Sequence, residues 1–215
     1  MSTPTVSFWF DYLSPYTFLA STQIDRVCAA HGVVARWEPA LLGGIMKASG
    51  NQPPALLVPR AEYMGPDLAR WAEHYGVAFR FSPHFPFSPV AALRAALAIR
   101  ASAPDRAAAW DARAFRAAWQ EGSDLADKGV LAALARDVQV DEALVLGAND
   151  DPVRKEQLKA QTERVVGLGA FGLPWVVVEQ DGARETYFGN DRLPLLDARL
   201  ARARPWTQGG GAVRL

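Results

Sequence analysis

Ser14 lies where an apolar segment is followed by a helix start, in the stretch FDYLSPYTF. The segment from Val6 to Phe10 predicts a buried strand. Ser14 followed by Pro15 is typical of a helix N-terminus, because serine caps free backbone N–H groups and proline suits the first helical position. A serine hydroxyl can also hydrogen-bond an anion. The local sequence therefore leaves two roles open for Ser14, a simple cap or a contact to a ligand.

Few other side chains are arranged for chemistry. The only cysteine, Cys28, has no partner for an internal disulfide, and we interpret it as a buried packing residue of the predicted helix. The three histidines, His31, His74 and His84, lack the spacing of metal ligands. We therefore predict no metal site.

Composition limits the possible partners. The chain has 215 residues, 50% of them hydrophobic, and 23 basic residues balance 23 acidic ones. This balance gives no electrostatic reason to expect binding to nucleic acid or to an anionic membrane. No apolar run is long enough to span a bilayer, and the first residues lack the features of a signal peptide. We therefore predict a cytoplasmic protein with small or neutral partners.

The first and last parts of the chain carry the strand patterns. The helix begun by Pro15 is predicted to run to about His31, before Gly32, and Val33 to Glu38 predicts a second strand parallel to the first. Near the end, the sequence predicts a hairpin and a final helix. The hairpin strands are Trp175 to Glu179 and Glu185 to Phe188, joined by Asp181-Gly182, and the helix is capped by Asn190 or Asp191, with Leu196 and Leu200 on one face.

The middle of the chain, from Leu41 to about Val166, is dominated by helix patterns. The predicted helices run from Pro66 to Tyr75, from Ser88-Pro89 to about Ser102, from Asp105 to Gln120 and from Asp151-Pro152 to Val166. The proline-rich stretch from Asn51 to Pro59 predicts an ordered loop.

The element order predicts an α/β fold with a thioredoxin-like mixed sheet, interrupted by a large all-helical insertion between its β-α-β and β-β-α halves. We place the discontinuous sheet domain at 1–40 and 167–206, the helical domain at 41–166 and a mobile tail at 207–215. A cleft between the two domains is a natural ligand site.

Five segments, in collinear order, resemble the signature stretches of the 2-hydroxychromene-2-carboxylate isomerases. They are Phe10-Asp-Tyr-Leu-Ser-Pro-Tyr16, Gly43-Gly-Ile-Met46, Ser49-Gly-Asn-Gln-Pro-Pro54, Ala170-Phe-Gly-Leu-Pro174 and Phe188-Gly-Asn-Asp-Arg192. That family is related to the kappa-class glutathione transferases and to the thioredoxin-like disulfide oxidoreductases. The likeness runs from Val6 to about Arg204.

The resemblance implies a role for Ser14. Disulfide oxidoreductases carry a Cys-x-x-Cys pair at the start of the first helix, where a thiol pKa is lowered. The matching residues here, Ser14 to Thr17, include no cysteine. By resemblance, the Ser14 hydroxyl donates a hydrogen bond to the thiolate of bound glutathione.

The same resemblance implies the rest of the glutathione site. Leu173, held ahead of a cis-Pro174, pairs with the cysteinyl backbone. The segment with Asn190, Asp191 and Arg192 meets the γ-glutamyl group, Asp191 accepting from its ammonium. Spacing alone favours the alternative, in which Asp191 is only a residue of the first helical turn and Arg192 is a solvated side chain.

The substrate side is implied by five residues, Tyr12, Tyr16, Asn51, Arg60 and Ser88. Asn51 lines the active site, and Arg60 stands where relatives commonly carry a lysine that meets glutathione or an acidic substrate. A solvated Arg60 is the alternative. Ser88 lies near the position of an asparagine in relatives. Aromatic residues are mostly core residues, and this alternative is open for Tyr12 and Tyr16. Both flank Ser14, however, where they can wall a planar aromatic substrate or donate to its phenolic oxygen.

The implied activity is isomerisation of 2-hydroxychromene-2-carboxylate to trans-o-hydroxybenzylidenepyruvate, or of a related intermediate of aromatic degradation such as naphthalene catabolism. Glutathione adds reversibly and is regenerated, and Arg60 neutralises the substrate carboxylate. One alternative is a kappa-like transferase that conjugates glutathione to electrophiles. Another is a non-catalytic thioredoxin-fold protein that binds a thiol or a peptide. Since relatives are dimers, we also expect a homodimer.

Overall fold

The computed structural model describes residues 2–53 and 56–202. Its central feature is a four-stranded mixed sheet in the order β2-β1-β3-β4. The strands are β1 Thr5–Phe10, β2 Ala35–Pro39, β3 Trp175–Gln180 and β4 Ala183–Phe188. β1 is parallel to β2 and antiparallel to β3, which pairs antiparallel with β4. The sheet thus joins the two ends of the chain, as predicted.

Both faces of the sheet are buried. Phe8 and Phe10 point to one face, in a core that extends into the helices, with Leu93 and Phe115 among its members. Trp9 lies on the other face with the second part of the core. Successive strand side chains alternate between faces, so a strand covered on both sides is a continuous apolar run. This explains the composition of the segment that precedes Ser14.

Helices cover the sheet and fill the middle of the chain. α1 Pro15–Ser21 and α2 Ile24–Ala29 connect β1 to β2, and α10 Leu193–Leu200 follows β4. Between β2 and β3 lie α3 Leu42–Ser49, α4 Val58–Tyr75, α5 Val90–Ser102, α6 Ala107–Arg116, α7 Lys128–Asp137, α8 Glu142–Gly147 and α9 Pro152–Gly167. This order confirms the predicted α/β class and the helical insertion. The exact domain boundaries stay a prediction.

The predicted single helix from Pro15 to His31 is wrong, because it is divided between α1 and α2. At the break, the Ser21 hydroxyl donates to the Phe18 carbonyl at 2.6 Å and the Thr22 hydroxyl donates to the Leu19 carbonyl at 2.7 Å. Such side-chain bonds to preceding carbonyls compete with the helical backbone bonds. α2 buries Cys28, and burial raises the pKa of its thiol to about 12, which confirms its role as a packing residue.

The predicted start of the next helix at Pro66 is also wrong. α4 begins at Val58 with Pro59 in its first turn, and Pro66 lies inside the helix. Proline is most favourable at a helix start, but Pro66 does not end α4, which buries Met64 before it and Leu68 and Ala72 after it. The loop predicted from Asn51 to Pro59 therefore ends before Val58; Pro54 and Ala55 lie outside the described residues.

The predicted caps of three other helices are partly confirmed and partly corrected. The Asp151 side chain caps α9 as predicted, accepting from the Val153 N–H at 2.8 Å. Ser88 is not a cap, because Pro89 precedes α5 and no side chain caps that helix. Asn190 and Asp191 do not cap α10 but form a 3-10 turn, Asn190–Arg192.

Two further predictions concern the middle and the end of the chain. The helix predicted from Asp105 to Gln120 is divided into a 3-10 turn, Pro104–Arg106, then α6 and a π-helical turn, Ala117–Glu121. The tail 207–215 lies outside the described residues. Over residues 2–53 and 56–202, no helix is long and apolar enough to cross a membrane, and no cluster of three potential metal ligands occurs.

Candidate active site

A cavity of about 1330 Å³ lies at the end of the sheet where α1 begins. Its walls come from the start of α1, from α3, from α4 and from the segments that flank the hairpin of β3 and β4. All five segments of the family resemblance contribute lining residues. Of the predicted site residues, those that line it are Ser14, Tyr16, Asn51, Arg60, Leu173, Asn190 and Asp191.

Ser14 is a buried polar residue at the start of α1, with 5% of its surface exposed. Its Oγ accepts from the Thr17 N–H at 3.1 Å, which confirms the predicted cap. The same hydroxyl donates to the Leu173 carbonyl at 3.2 Å. The cap leaves the hydroxyl proton available to a second acceptor, and that acceptor belongs to the cavity wall.

The Leu173–Pro174 peptide bond is cis, as the resemblance implied. Pro174 does not line the cavity, but its carbonyl accepts from the Gly189 N–H at 3.0 Å. This bond joins the segment before β3 to the segment after β4. Pro174 therefore contacts the neighbouring wall segment, whereas Leu173 faces the cavity.

Close packing around Gly172 fixes the same two segments. A Cβ atom on Gly172 would lie 2.8 Å from the ring of Phe188, so only glycine fits without a shift. The rings of Phe171 and Phe188 lie 4.5 Å apart between centroids. The Asn51 amide donates to the Phe171 carbonyl at 2.8 Å. Asn51 thus ties the loop after α3 to this wall, while Phe171 and Phe188 give it an apolar surface.

Asn190 offers an unused donor. It is 2% exposed, and its backbone carbonyl accepts from the Tyr75 hydroxyl at 3.1 Å. Its side-chain Nδ2 is buried without a hydrogen-bond partner within the described part of the chain. A buried amide without a partner is costly, and a ligand in the cavity can satisfy it.

Asp191 and Arg192 pair with each other on the surface. Asp191 lines the cavity, but Arg192 does not, so the prediction that Arg192 contacts glutathione is corrected to a contact with Asp191. Gly189 adopts φ 94°, a region that favours glycine, and a Cβ atom there would lie 2.5 Å from the Asp191 carboxylate. The glycine lets this turn bring Asp191 to the cavity.

The charges on α4 differ in their surroundings. Arg60 lines the cavity, is exposed, and has no side-chain hydrogen bond or ion pair with any described residue. Asp67 accepts from the Tyr16 hydroxyl at 2.9 Å. Burial and the bond to this carboxylate raise the pKa of Tyr16 above its usual value. Tyr16 is therefore a neutral donor whose proton is already used, and Arg60 is a cation free to meet an anionic ligand.

Two predicted substrate contacts are not at the cavity. Tyr12 is fully buried in the core, where its hydroxyl donates to Asp111 at 2.5 Å and its carbonyl accepts from the Trp119 indole at 2.8 Å. It follows the end of β1 on the side of the sheet that faces the helical core. Ser88 is exposed and outside the lining, which at that point is formed by Phe85 and Pro86, joined by a second cis peptide bond.

Asp11, which is fully buried beside the cavity, was not predicted from the sequence. Its two carboxylate oxygens accept from the N–H groups of Leu13 and Leu42, each at 2.8 Å. Burial raises the pKa of Asp11 to about 7. A charged residue directly after an apolar strand was the signal that could have singled it out. The Asp67 carboxylate was missed as well, since nothing in the sequence pairs it with Tyr16.

Comparisons with known proteins cover nearly the whole chain. The family model described as DSBA-like thioredoxin domain matches residues 5–201. A 2-hydroxychromene-2-carboxylate isomerase of Sphingobium xenophagum is 31% identical, over 92% of this chain and 98% of its own. Glutathione S-transferase kappa 1 of Homo sapiens is 30% identical, over 89% of this chain and 88% of its own. A solved 2-hydroxychromene-2-carboxylate isomerase structure, 25% identical, superposes with a TM-score of 0.79 over 90% of this chain and 93% of its own.

Proposed function

We propose that this chain, which belongs to the DSBA-like thioredoxin-domain family, is a glutathione-dependent isomerase of a bicyclic aromatic carboxylate such as 2-hydroxychromene-2-carboxylate. The relatives named as isomerases and as kappa transferases confirm the resemblance and support an enzyme of the isomerase type with a glutathione-linked activity. The observation that carries the proposal for this chain is Ser14, a buried hydroxyl at the cavity wall where disulfide oxidoreductases carry a cysteine.

The polar groups of the cavity fit glutathione. The tripeptide has two carboxylates, one ammonium group and one thiol. The buried Asn190 amide without a partner suits a carboxylate of the tripeptide, and the Asp191 carboxylate suits its ammonium group. When bound, glutathione supplies a thiol nucleophile that is released unchanged at the end of the reaction.

Ser14 would hold the thiolate form of that nucleophile. Its hydroxyl oxygen stays bonded to the Thr17 N–H, and rotation about the Cβ–Oγ bond moves the proton from the Leu173 carbonyl to an anion in the cavity. The Leu173 carbonyl, once released, can accept from a peptide N–H of the ligand. A hydrogen bond to the charged form of a group favours that form, so the thiol pKa falls.

The substrate would lie against the apolar part of the wall. Phe171 and Phe188 are exposed aromatic rings in contact with each other at the cavity. They suit a planar bicyclic molecule. Arg60 suits the carboxylate of that molecule, because its charge is not neutralised by any residue that the structure describes. Tyr16 contributes its ring to the wall, while Asp67 holds its hydroxyl.

A kappa-type transferase is the second candidate. The kappa relative of Homo sapiens is 30% identical, almost as similar as the isomerase at 31%. The same thiolate site serves both activities, and the difference is whether glutathione is released or stays attached. A homodimer and a cytoplasmic location are further predictions, and neither is needed for the chemistry.

The proposed function is tested by measuring turnover of the substrate when glutathione is present in a smaller amount than the substrate. The protein is mixed with excess 2-hydroxychromene-2-carboxylate and a tenth as much glutathione, and the isomer, any adduct and free thiol are measured. Many equivalents of isomer with full recovery of thiol support the isomerase. A stoichiometric adduct favours the transferase. Neither product above the rate measured without the protein overturns both activities, and equal rates in wild type and Ser14→Ala overturn the role of Ser14.

A further inference from the structure

The Asp11 carboxylate joins two walls of the cavity without lining it. Asp11 directly follows β1 and is fully buried. One oxygen accepts from the N–H of Leu13, the residue before Ser14, and the other accepts from the N–H of Leu42, the first residue of α3. Leu13 and Leu42 both line the cavity. A single rigid group therefore links the turn that presents Ser14 to the start of α3.

The start of α3 depends on this bond. The residue before the helix, Leu41, has no side chain that can cap it. The Leu41 N–H itself donates to the Thr162 hydroxyl at 3.0 Å. The first N–H groups of any helix lack partners within the helix, and Asp11 supplies one from another element. The carboxylate thus ties the start of α3 to the end of β1.

A buried carboxylate is a costly way to make this connection. Both hydrogen-bond donors to Asp11 are backbone N–H groups, and neither carries a positive charge. Burial without a cation disfavours the charged form, which raises the pKa of Asp11 to about 7. Buried carboxylates that are expensive for stability are frequent beside functional sites.

We propose that Asp11 is a positioning residue, which holds the Ser14 turn and the start of α3 in register and thereby lowers the pKa of a thiol bound at Ser14. The inference rests on the proposed binding of glutathione. Asp11 acts through Leu13 and Leu42, and it makes no contact with the ligand. Its negative charge by itself would raise the pKa of a nearby thiol, so geometry and charge have opposite effects on the same measurement.

Two variants break the connection in different ways. Asp11→Asn keeps the shape of the side chain but turns one acceptor into a donor, so at most one of the two bonds survives. An ester in place of the Leu42 amide, introduced with the hydroxy acid analogue of leucine, removes the N–H and leaves the carboxylate intact. It also makes the Leu41 carbonyl, which accepts from the Ile45 N–H, a weaker acceptor. The matched control is Asp127→Asn. Asp127 also accepts from two backbone N–H groups, those of Gly129 and Val130, but it lies on the surface at the start of α7 and away from the cavity.

The readout is the pKa of the bound glutathione thiol, from the ultraviolet absorbance of its thiolate across pH. We expect it to rise by about half a unit or more in both site variants, a roughly threefold loss of thiolate relative to thiol, and to stay unchanged in Asp127→Asn. If the thiol pKa does not rise in either site variant, or if it is lower in Asp11→Asn than in the wild type, the inference is overturned while the proposed function stands. No binding of glutathione to the wild type overturns both.

Discussion

The Ser14 hydroxyl donates to the Leu173 carbonyl at 3.2 Å. The side chain proposed to donate a hydrogen bond to the thiolate therefore contacts the residue proposed to hold the ligand backbone. The same oxygen accepts from the Thr17 N–H. Ser14 therefore caps α1 and meets the cavity wall at once. The two roles left open by the sequence are compatible, because one uses a lone pair of the oxygen and the other uses its proton.

Replacement of Ser14 by alanine should separate binding from thiolate stabilisation. We expect Ser14→Ala to bind glutathione but to raise the pKa of its thiol by roughly 1–2 units, since a hydrogen bond to a charged group contributes about 1.5–3 kcal/mol. Calorimetric titration measures binding, and thiolate absorbance across pH measures the pKa. Ser21→Ala, at the other end of α1, is the control. An identical thiol titration in wild type and Ser14→Ala would contradict the role of the hydroxyl.

Arg60 should act on anionic substrates through charge. We expect Arg60→Gln to raise KM for a carboxylate substrate about two- to five-fold with little change in kcat, because an exposed charge pair contributes about 1 kcal/mol or less. Arg60→Lys should restore part of the loss. The difference between wild type and Arg60→Gln should shrink at high salt, which screens exposed charges. Arg136→Gln removes a surface charge away from the cavity, paired with Glu142, and serves as the control. Equal KM values for wild type and Arg60→Gln at low salt would show that Arg60 is only solvated.

Gly172 and Gly43 form a matched pair for the packing of the wall. A Cβ atom on Gly172 would lie 2.8 Å from the Phe188 ring, whereas one on Gly43 has no neighbour within 4 Å. Gly172→Ala should lower the free energy of unfolding by roughly 1–3 kcal/mol, the usual cost of overpacking. Gly43→Ala, inside α3, should raise it by about 0.5–1 kcal/mol, since alanine favours a helix. Urea denaturation of both variants tests the pair, and equal midpoints would contradict it.

The parts of the fold with strong local patterns were predictable. The apolar β1, the Ser14-Pro15 start of α1 and the Asp151 cap of α9 are encoded by neighbouring residues, and all three are present. The start of α4 was not predicted correctly, because Pro66 resembles a helix start whereas the helix begins at Val58. The break after α1 depends on hydroxyls that bond backward, an outcome that sequence periodicity does not reveal.

The candidate site was also only partly predictable from the sequence. The family resemblance located the segments, and their residues do meet at one cavity. Resemblance did not reveal which face each side chain occupies, so Tyr12 was placed at the substrate although the structure buries it against Asp111. The bonds from Tyr16 to Asp67 and from Asn51 to Phe171 join residues far apart in the chain, and no local pattern predicts them.

Asp11 should make the stability of the protein depend on pH in a recognisable direction. Its pKa is raised from 3.8 to about 7 in the folded state, so between these values the folded protein binds a proton that the unfolded chain has released. The contribution of this group to stability is therefore fully present below about pH 4, falls as pH rises, and is lost above about pH 7. The shift corresponds to roughly 4 kcal/mol. The wild type should lose stability relative to Asp11→Asn by an amount of this order between pH 4 and pH 8, as measured by urea denaturation of both proteins at each pH. A difference between the two proteins that is constant across this range would mean that Asp11 is ionised throughout, with an ordinary pKa.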